Sequence, residues 1–166
     1  MSTITAQIRP LVPDDHTQWL HLWKGYQAFY EADIPDAVSE TTWRRFHDPA
    51  LPIHALGAEI AGSDGSPRLV GIVHYLYHLT CWTVEPYCYL QDLYVDADAR
   101  SSGAGRALIE AVYAAARQDG AGRVYWLTEE DNHVARGLYD TMADRPGFIQ
   151  YRHIFDARNT DHKEEP

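Results

Sequence analysis

The chain has 166 residues, which is enough for one domain with a sizeable hydrophobic core. Its formal net charge is −10, which argues against a nucleic-acid-binding surface and favours a cationic partner. No apolar stretch is long enough to span a membrane, and Cys81 and Cys88 are too few for a disulfide scaffold. We therefore expect a cytoplasmic protein with reduced thiols and no membrane partner.

The N-terminal part of the chain predicts a strand followed by two helices. Residues Thr5 to Leu11 alternate in polarity and predict an edge strand. Asp14 or Asp15 is expected to cap the first helix, and Ser39 the second, which ends at Phe46. Large apolar residues recur at helical spacing and predict the buried face of the first helix, namely Trp19, Leu22, Trp23, Tyr26, Phe29 and Tyr30.

The end of the first helix is a candidate substrate site. Tyr30-Glu31-Ala32-Asp33 places two carboxylates beside an aromatic ring. Such a group holds an ammonium ion by charge and cation–π attraction, so Tyr30 and Glu31 are substrate candidates. An exposed acidic helix end would have the same sequence, and for Asp33 we favour that interpretation.

Two strands of a hairpin are predicted from His54 to Ala61 and from Arg68 to Leu79. His74 and His78 lie four residues apart on the second strand and therefore share a side. No cysteine or carboxylate lies near them at a metal-ligand spacing, so we expect no metal site. We interpret His74 as either hydrogen-bonded in the interior or facing a substrate.

The central stretch begins with a buried strand, Cys88 to Val95, and continues into a glycine-containing turn before a helix. The first amides of a helix have no partner inside it, so they form an anion site. Gly103 and Gly105 allow an anion to approach the backbone. A Walker loop needs Gly-Lys-Ser/Thr, which is missing here, and the third glycine of the dinucleotide fingerprint is replaced by Leu108.

The C-terminal part predicts a strand, a helix and a last strand. The strand runs from Arg123 to Thr128, and Asp131 or Asn132 caps a helix that continues through Tyr139. Pro146-Gly147 then turns the chain into a last strand, Phe148 to Phe155. No linker interrupts the chain, so residues 1–158 are expected to form a single domain and 159–166 a disordered tail.

Three segments resemble the GNAT superfamily of N-acetyltransferases. They are Gln91-Asp-Leu-Tyr-Val95 with Arg100 to Ala107, Asn132-His-Val-Ala-Arg-Gly-Leu-Tyr139, and Gly147-Phe148 followed by Tyr151. The strand Tyr-Leu-Gln-Asp-Leu-Tyr-Val is most similar to the diamine/polyamine and fungal histone/polyamine acetyltransferases. The resemblance implies an α/β (α+β) fold, with a central mixed, mostly antiparallel twisted sheet flanked by about four helices.

The resemblance also implies acetyl-CoA as the acetyl donor and a set of residues that bind it. The backbone of Leu93, Tyr94 and Val95 would pair with the pantetheine arm. Asn132 would contact the pantetheine or its thioester end, and Tyr139 would act as general acid near the sulfur. The pyrophosphate would lie against Arg100, Ser101, Ser102, Gly103, Ala104, Gly105, Arg106 and Ala107.

The implied chemistry needs a general base. A substrate ammonium with a pKa of about 10.4 must lose a proton before it attacks the thioester. Asp92 is the candidate, although a structural role is an equal alternative. Many relatives have Glu-Asp where this chain has Gln91-Asp92, so a water chain or His74 is another possible base. The predicted substrate-binding residues are Tyr30, Glu31, His74 and Gln91.

The sequence therefore predicts an acetyl-CoA-dependent N-acetyltransferase. Its expected acceptor is the primary amine of a small cationic substrate, such as a polyamine, a diamine or an amino acid. Two alternatives stay open at this point, a protein or histone lysine acetyltransferase and a non-catalytic acyl-CoA-binding module. By analogy with the family, a homodimer is expected.

Overall fold

A computed structural model describes residues 6–155 of the chain, which divide into two compact units. The first unit extends to Glu129, and the second begins at Glu130. The described residues form five strands and four α-helices. In chain order these are β1 (Gln7–Pro10), α1 (His16–Phe29), α2 (Asp36–Phe46), β2 (Ile53–Ala61), β3 (Pro67–His78), β4 (Tyr87–Val95), α3 (Ala104–Gln118), β5 (Arg123–Tyr125) and α4 (His133–Tyr139).

The strands of the first unit form one sheet in the order β1-β2-β3-β4-β5. The first three neighbouring pairs are antiparallel, and β4 and β5 are parallel. Neighbours in the sequence are thus neighbours in the sheet, as is usual for short connections. The predicted fold class, a mixed and mostly antiparallel sheet with four helices, is confirmed.

Aromatic and aliphatic side chains bury the two faces of the sheet. Trp19 of α1 is fully buried, and its ring centroid lies 4.8 Å from that of Trp43 of α2. On the other face, Leu108 and Val112 of α3 are fully buried. Truncating a core tryptophan to alanine typically costs roughly 3–5 kcal/mol, so Trp19 anchors α1 firmly against the sheet.

One of the two predicted helix caps is at the expected position but makes no capping hydrogen bond, and the other is wrong. Asp15 occupies the cap position of α1, but its carboxylate accepts hydrogen bonds from Arg9 and from the amide of Val12. Ser39 lies inside α2, where its hydroxyl accepts a hydrogen bond from Trp23 Nε1 at 3.1 Å. A buried indole N–H needs an acceptor, and that tertiary need determines the role of Ser39.

The predicted last strand, Phe148 to Phe155, is also wrong, because none of its described residues belongs to a strand. Strand propensity alone does not form a strand, since the main chain also needs a partner to pair with. The predicted strand from Arg123 ends at Tyr125, before Thr128. Thr5 and the expected tail lie outside the described residues.

The apolar side chains of this C-terminal segment are left in contact with solvent. The exposed large residues of the segment are Phe148, Ile149, Tyr151, Ile154 and Phe155.

No helix within residues 6–155 has both the length and the apolar character needed to cross a bilayer.

Candidate active site

The most distinctive feature of the sheet is the open edge of β4. This strand pairs with β3 from Tyr87 to Val95, whereas β5 pairs only with Tyr87 to Tyr89. Within residues 6–155, no strand therefore pairs with the outer edge of Leu93 to Val95. Unpaired N–H and C=O groups along such an edge are a template for an extended ligand that contains amide groups.

A turn with two left-handed residues follows the open edge. Ser101 has φ 64 and Gly103 has φ 88, so both residues are left-handed just before α3 begins at Ala104. Glycine adopts this conformation without strain, and serine does so at a cost of about 1 kcal/mol. A Cβ on Gly103 would meet no atom within 4 Å, so the surface beside this turn is open.

The turn presents unpaired amides at the N-terminus of α3. The amide of Ser102 donates to Ala99 at 3.3 Å, and that of Ala107 donates to Gly103 at 3.0 Å. In the part of the chain that the structure describes, the amides of Ser101, Gly103 and Gly105 have no acceptor. Together with the helix dipole, these donors make the start of α3 suitable for an anion.

Arg100 connects the turn to the strand and to the end of α1. Its Nε donates to the carbonyl of Val95 at 3.4 Å, and its guanidinium lies 5.8 Å from the ring centroid of Phe29. Arg106 is exposed on the first turn of α3. Both arginines therefore lie close to the unpaired amides, where they add positive charge.

A β-bulge in β4 sets the direction of its acidic residue. Asp92 pairs with His74, while Leu90 pairs with the next residue of β3, Tyr75. Gln91 is therefore the additional residue of the bulge, and it is exposed. On a regular strand, residues three positions apart point to opposite sides of the sheet. The bulge places Asp92 on the same side as Tyr89.

Asp92 is the end of a buried chain of hydrogen bonds. Its Oδ2 lies 3.0 Å from His74 Nδ1, and His74 Nε2 accepts a hydrogen bond of 2.9 Å from Trp19 Nε1. His74 is only 1% exposed, and its ring lies 5.2 Å from that of Trp23 and 4.6 Å from that of Phe46. The Asp92 side chain is 12% exposed, so one part of the carboxylate reaches solvent.

Two tyrosines surround the same carboxylate. Burial raises the pKa of Tyr26, and the charge of Asp92 and a hydrogen bond with it raise that pKa further. Burial and the charge of Asp92 also raise the pKa of Tyr89, whose ring stacks on Tyr125 at 5.0 Å. Both phenols therefore stay protonated at neutral pH. The ring of Tyr26 lies 4.9 Å from that of Tyr30, which connects Tyr30 to the Asp92 region.

Glu31 ends α1 in an unusual backbone conformation. Its φ is 51, its amide donates to Ala28 at 3.2 Å, and the amide of Ala32 donates to Gln27 at 2.9 Å. These two bonds form a Schellman motif, in which the left-handed position is usually glycine. The Glu31 side chain is exposed. A glutamate here costs about 1 kcal/mol of backbone strain, so the position is not optimised for stability.

The remaining predicted site residues lie on α4 in the second unit. Asn132 caps this helix, as expected, because its Oδ1 accepts a hydrogen bond from the amide of Ala135 at 3.3 Å. Tyr139 is the last residue of α4 and is partly buried. The two residues are seven positions apart, which places them on the same side of the helix.

Sequence reasoning missed the bulge and the roles of Trp19, which was interpreted as a core residue, and of Tyr26. The adjacent polar residues Gln91 and Asp92 interrupt an apolar strand, and this pair was the available sign of a bulge. No sequence signal indicates that Trp19 would donate to His74.

The described residues contain no group of three or more His, Cys, Asp or Glu that could hold a metal ion.

Comparison with known proteins identifies the family of the chain. The model of the acetyltransferase (GNAT) family matches residues 17–143. The D-amino-acid N-acetyltransferase HPA3 of Saccharomyces cerevisiae is 40% identical over 145 residues, which cover 87% of this chain and 88% of that protein.

Solved structures share the fold at lower identity. A ribosomal-protein-alanine N-acetyltransferase from Brucella melitensis biovar Abortus 2308 matches with a TM-score of 0.72 and 22% identity, over 91% of this chain and 100% of that chain. An aminoglycoside acetyltransferase from an uncultured soil metagenomic sample, in complex with sisomicin, matches with a TM-score of 0.73 and 19% identity. That match covers 90% of this chain and 96% of the other.

The chain has the fold of solved acetyltransferases, and it belongs to the acetyltransferase (GNAT) family. It is an N-acetyltransferase, and acetyl-CoA is its acetyl donor. The predicted family, enzyme class and donor are confirmed. The similarity to the diamine and polyamine subgroup stays a prediction.

Proposed function

We propose that the enzyme acetylates the primary amine of a small cationic substrate, such as an amino acid, a diamine or a polyamine. One observation carries the proposal: the open edge of β4 leads into the unpaired amides before α3, and Asp92 lies on the same strand. The yeast relative is named for D-amino acids, which makes amino acids the first substrates to test.

The chain's main-chain donors and acceptors fit the chemical groups of acetyl-CoA. The open edge of Leu93, Tyr94 and Val95 suits the amide groups of the pantetheine arm. The amides of Ser101, Gly103 and Gly105, with Arg100 or Arg106 beside them, suit the diphosphate. When bound, the donor supplies an activated thioester carbonyl, and the chain's residues position the amine and move protons.

In this proposal Asp92 is the general base and Tyr139 the general acid. The carboxylate of Asp92 takes the proton that the substrate ammonium must lose before its nitrogen can form the new C–N bond. The Tyr139 hydroxyl donates a proton to the sulfur as the C–S bond breaks, and Asn132 contacts the thioester end. An amide of β4 near Leu93 donates to the developing negative charge on the carbonyl oxygen.

Three residues are proposed to bind the amine. Glu31 supplies a negative charge at the end of α1, and Tyr30 supplies an aromatic ring next to Tyr26, which contacts Asp92. Gln91 is exposed at the bulge beside Asp92. Charge and cation–π attraction together would hold an ammonium group close to the base.

We also propose that the protein is a homodimer that acts in the cytoplasm. The exposed apolar residues from Phe148 to Phe155 support self-association, since patches of this kind mark interaction sites. Light scattering should give twice the chain mass, and replacing Phe148 and Tyr151 with serine should lower it to one chain. A monomeric wild type would rule out the dimer.

The substrate is tested by following thiol release with acetyl-CoA and a panel of amines. The panel contains D- and L-amino acids, diamines, polyamines and a lysine peptide. We expect turnover with one class of small amine, and Asp92→Asn should lower kcat by roughly 100-fold or more. Turnover with the peptide alone would favour the protein lysine acetyltransferase. Donor binding without turnover on any amine would contradict the proposal.

A further inference from the structure

We infer that His74 is a positioning residue that orients Asp92 and does not itself accept the substrate's proton. Trp19 fixes the tautomer of the imidazole, and the remaining ring N–H holds Asp92. The expected effect of His74 on kcat rests on the proposed function, whereas the tautomer of its ring is a property of the protein alone. Of the alternative bases that the sequence left open, His74 is thereby removed.

The tautomer follows from the chemistry of tryptophan. The indole Nε1–H is a donor only, and it lies 2.9 Å from His74 Nε2, so this nitrogen must be the acceptor. A neutral imidazole carries its proton on the other nitrogen. Nδ1–H therefore donates to Asp92 Oδ2 across 3.0 Å, and both ring nitrogens are satisfied.

This arrangement excludes His74 as a proton acceptor for the substrate. Both nitrogens already have partners, the residue is only 1% exposed, and the rings of Trp23 and Phe46 cover it. A proton placed on Nε2 would face the indole N–H and leave a buried donor unsatisfied. Such a donor costs about 1–3 kcal/mol. His74 therefore does not touch the substrate, and of the two interpretations of its strand pattern we infer the hydrogen-bonded interior one.

Asp92, unlike His74, still has free acceptor positions and access to solvent. A carboxylate has about four lone-pair positions, of which the hydrogen bond with His74 uses one. The bulge at Gln91 turns the side chain toward Tyr89, and its 12% exposed surface is open to solvent. The carboxylate is thus fixed in direction and still able to accept a proton.

The tautomer can be measured directly by ¹⁵N–¹H correlation spectroscopy of the histidine rings in the full-length protein. His74→Asn removes one set of signals and thereby assigns His74. We expect a protonated Nδ1 and an unprotonated Nε2 in the wild type. In Trp19→Phe, which lacks the indole donor, we expect a mixture of tautomers. A wild-type ring with its proton on Nε2 would overturn the inference.

Kinetics then test the positioning role. His74→Asn keeps an N–H group near the position of Nδ1, whereas His74→Leu removes it. We expect kcat within about 10-fold of the wild type for the first and lowered roughly 100-fold for the second, with the acetyl-CoA KM unchanged in both. Equal kcat values in the two variants would contradict the positioning role. A wild type without turnover would instead contradict the proposed function, and the tautomer would still be measurable.

Discussion

Gly25 of α1 lies directly against Tyr94 of β4: a Cβ built on Gly25 would be 2.6 Å from the Tyr94 hydroxyl oxygen. Glycine inside a helix costs about 0.5–1 kcal/mol relative to alanine. The glycine is explained by this contact, because only a residue without a side chain leaves room for the ring. Helix α1 therefore determines where Tyr94, part of the proposed pantetheine edge, can lie.

Gly25→Ala is therefore expected to destabilise the protein by about 1–3 kcal/mol, despite the higher helix propensity of alanine. The displaced ring should also disturb the edge of β4, so the KM for acetyl-CoA should rise. Urea unfolding and steady-state kinetics measure the two effects.

A matched control for this substitution is Gly137→Ala. Gly137 lies inside α4, and a Cβ there would meet no atom within 4 Å. This variant should be more stable than the wild type by up to about 1 kcal/mol. If both alanine variants changed the free energy of unfolding in the same direction, the explanation from the Tyr94 contact would be wrong.

Glu31 offers a way to separate stability from substrate binding. Glu31→Gly relieves the left-handed strain and should stabilise the protein by about 0.5–1 kcal/mol. If the carboxylate binds the amine, the same variant should raise the amine KM roughly 10-fold, equivalent to about 1.4 kcal/mol. Thermal unfolding and kinetics are measured on the same sample.

The control for this pair of effects is Glu31→Gln, which keeps the backbone strain and removes the charge. We expect a raised amine KM without added stability. An amine KM that stays at the wild-type value in both variants would show that Glu31 is only a helix end.

Tyr139→Phe tests the general acid. Loss of the hydroxyl should lower kcat by roughly 100-fold and leave the affinity for acetyl-CoA, measured by calorimetry, largely unchanged. Tyr151→Phe is the matched control, because Tyr151 is an exposed tyrosine of the same unit. Similar kcat values for the two variants would rule out Tyr139 as the acid.

The ion pair between Arg9 and Asp15 makes stability depend on pH. Two hydrogen bonds of 2.7 and 2.9 Å from Arg9 hold the pKa of Asp15 below its ordinary value. A lowered pKa contributes stability above about pH 3.9, and this stability is lost as the pH falls through the folded-state pKa. Asp15→Asn should therefore lower the free energy of unfolding by about 1.5–3 kcal/mol at neutral pH and much less in acid.

Urea unfolding at neutral and acidic pH measures this difference, with Asp36→Asn as the control. Asp36 forms an exposed pair with Lys24, and exposed pairs contribute little to stability. A loss of stability at Asp15 that is the same at both pH values would contradict the ionic explanation.

The sequence predicted the elements that depend on local pattern. The strand and turn before α3 follow from the apolar run and the two glycines, and the cap at Asn132 follows from its position. Composition alone did not predict the coenzyme; it came from the resemblance of whole segments to a known family.

Features that depend on tertiary contacts were not predictable. Ser39 was assigned as a cap because its use by the indole of Trp23 is visible only in three dimensions. The same holds for the pair of Trp19 and His74, which are 55 positions apart. The segment from Phe148 has strand propensity, but the partner that would pair with it is not a property of that segment.

We propose that the amides at the N-terminus of α3, including that of Gly105, hold the diphosphate of acetyl-CoA. Calorimetric titration of coenzyme A into Gly105→Pro and Gly105→Ala tests it most directly, because proline removes one N–H in the first helical turn and alanine keeps it. We predict an affinity about 10- to 150-fold weaker for the proline variant and close to wild type for the alanine variant. Equal affinities in the two folded variants would contradict the claim.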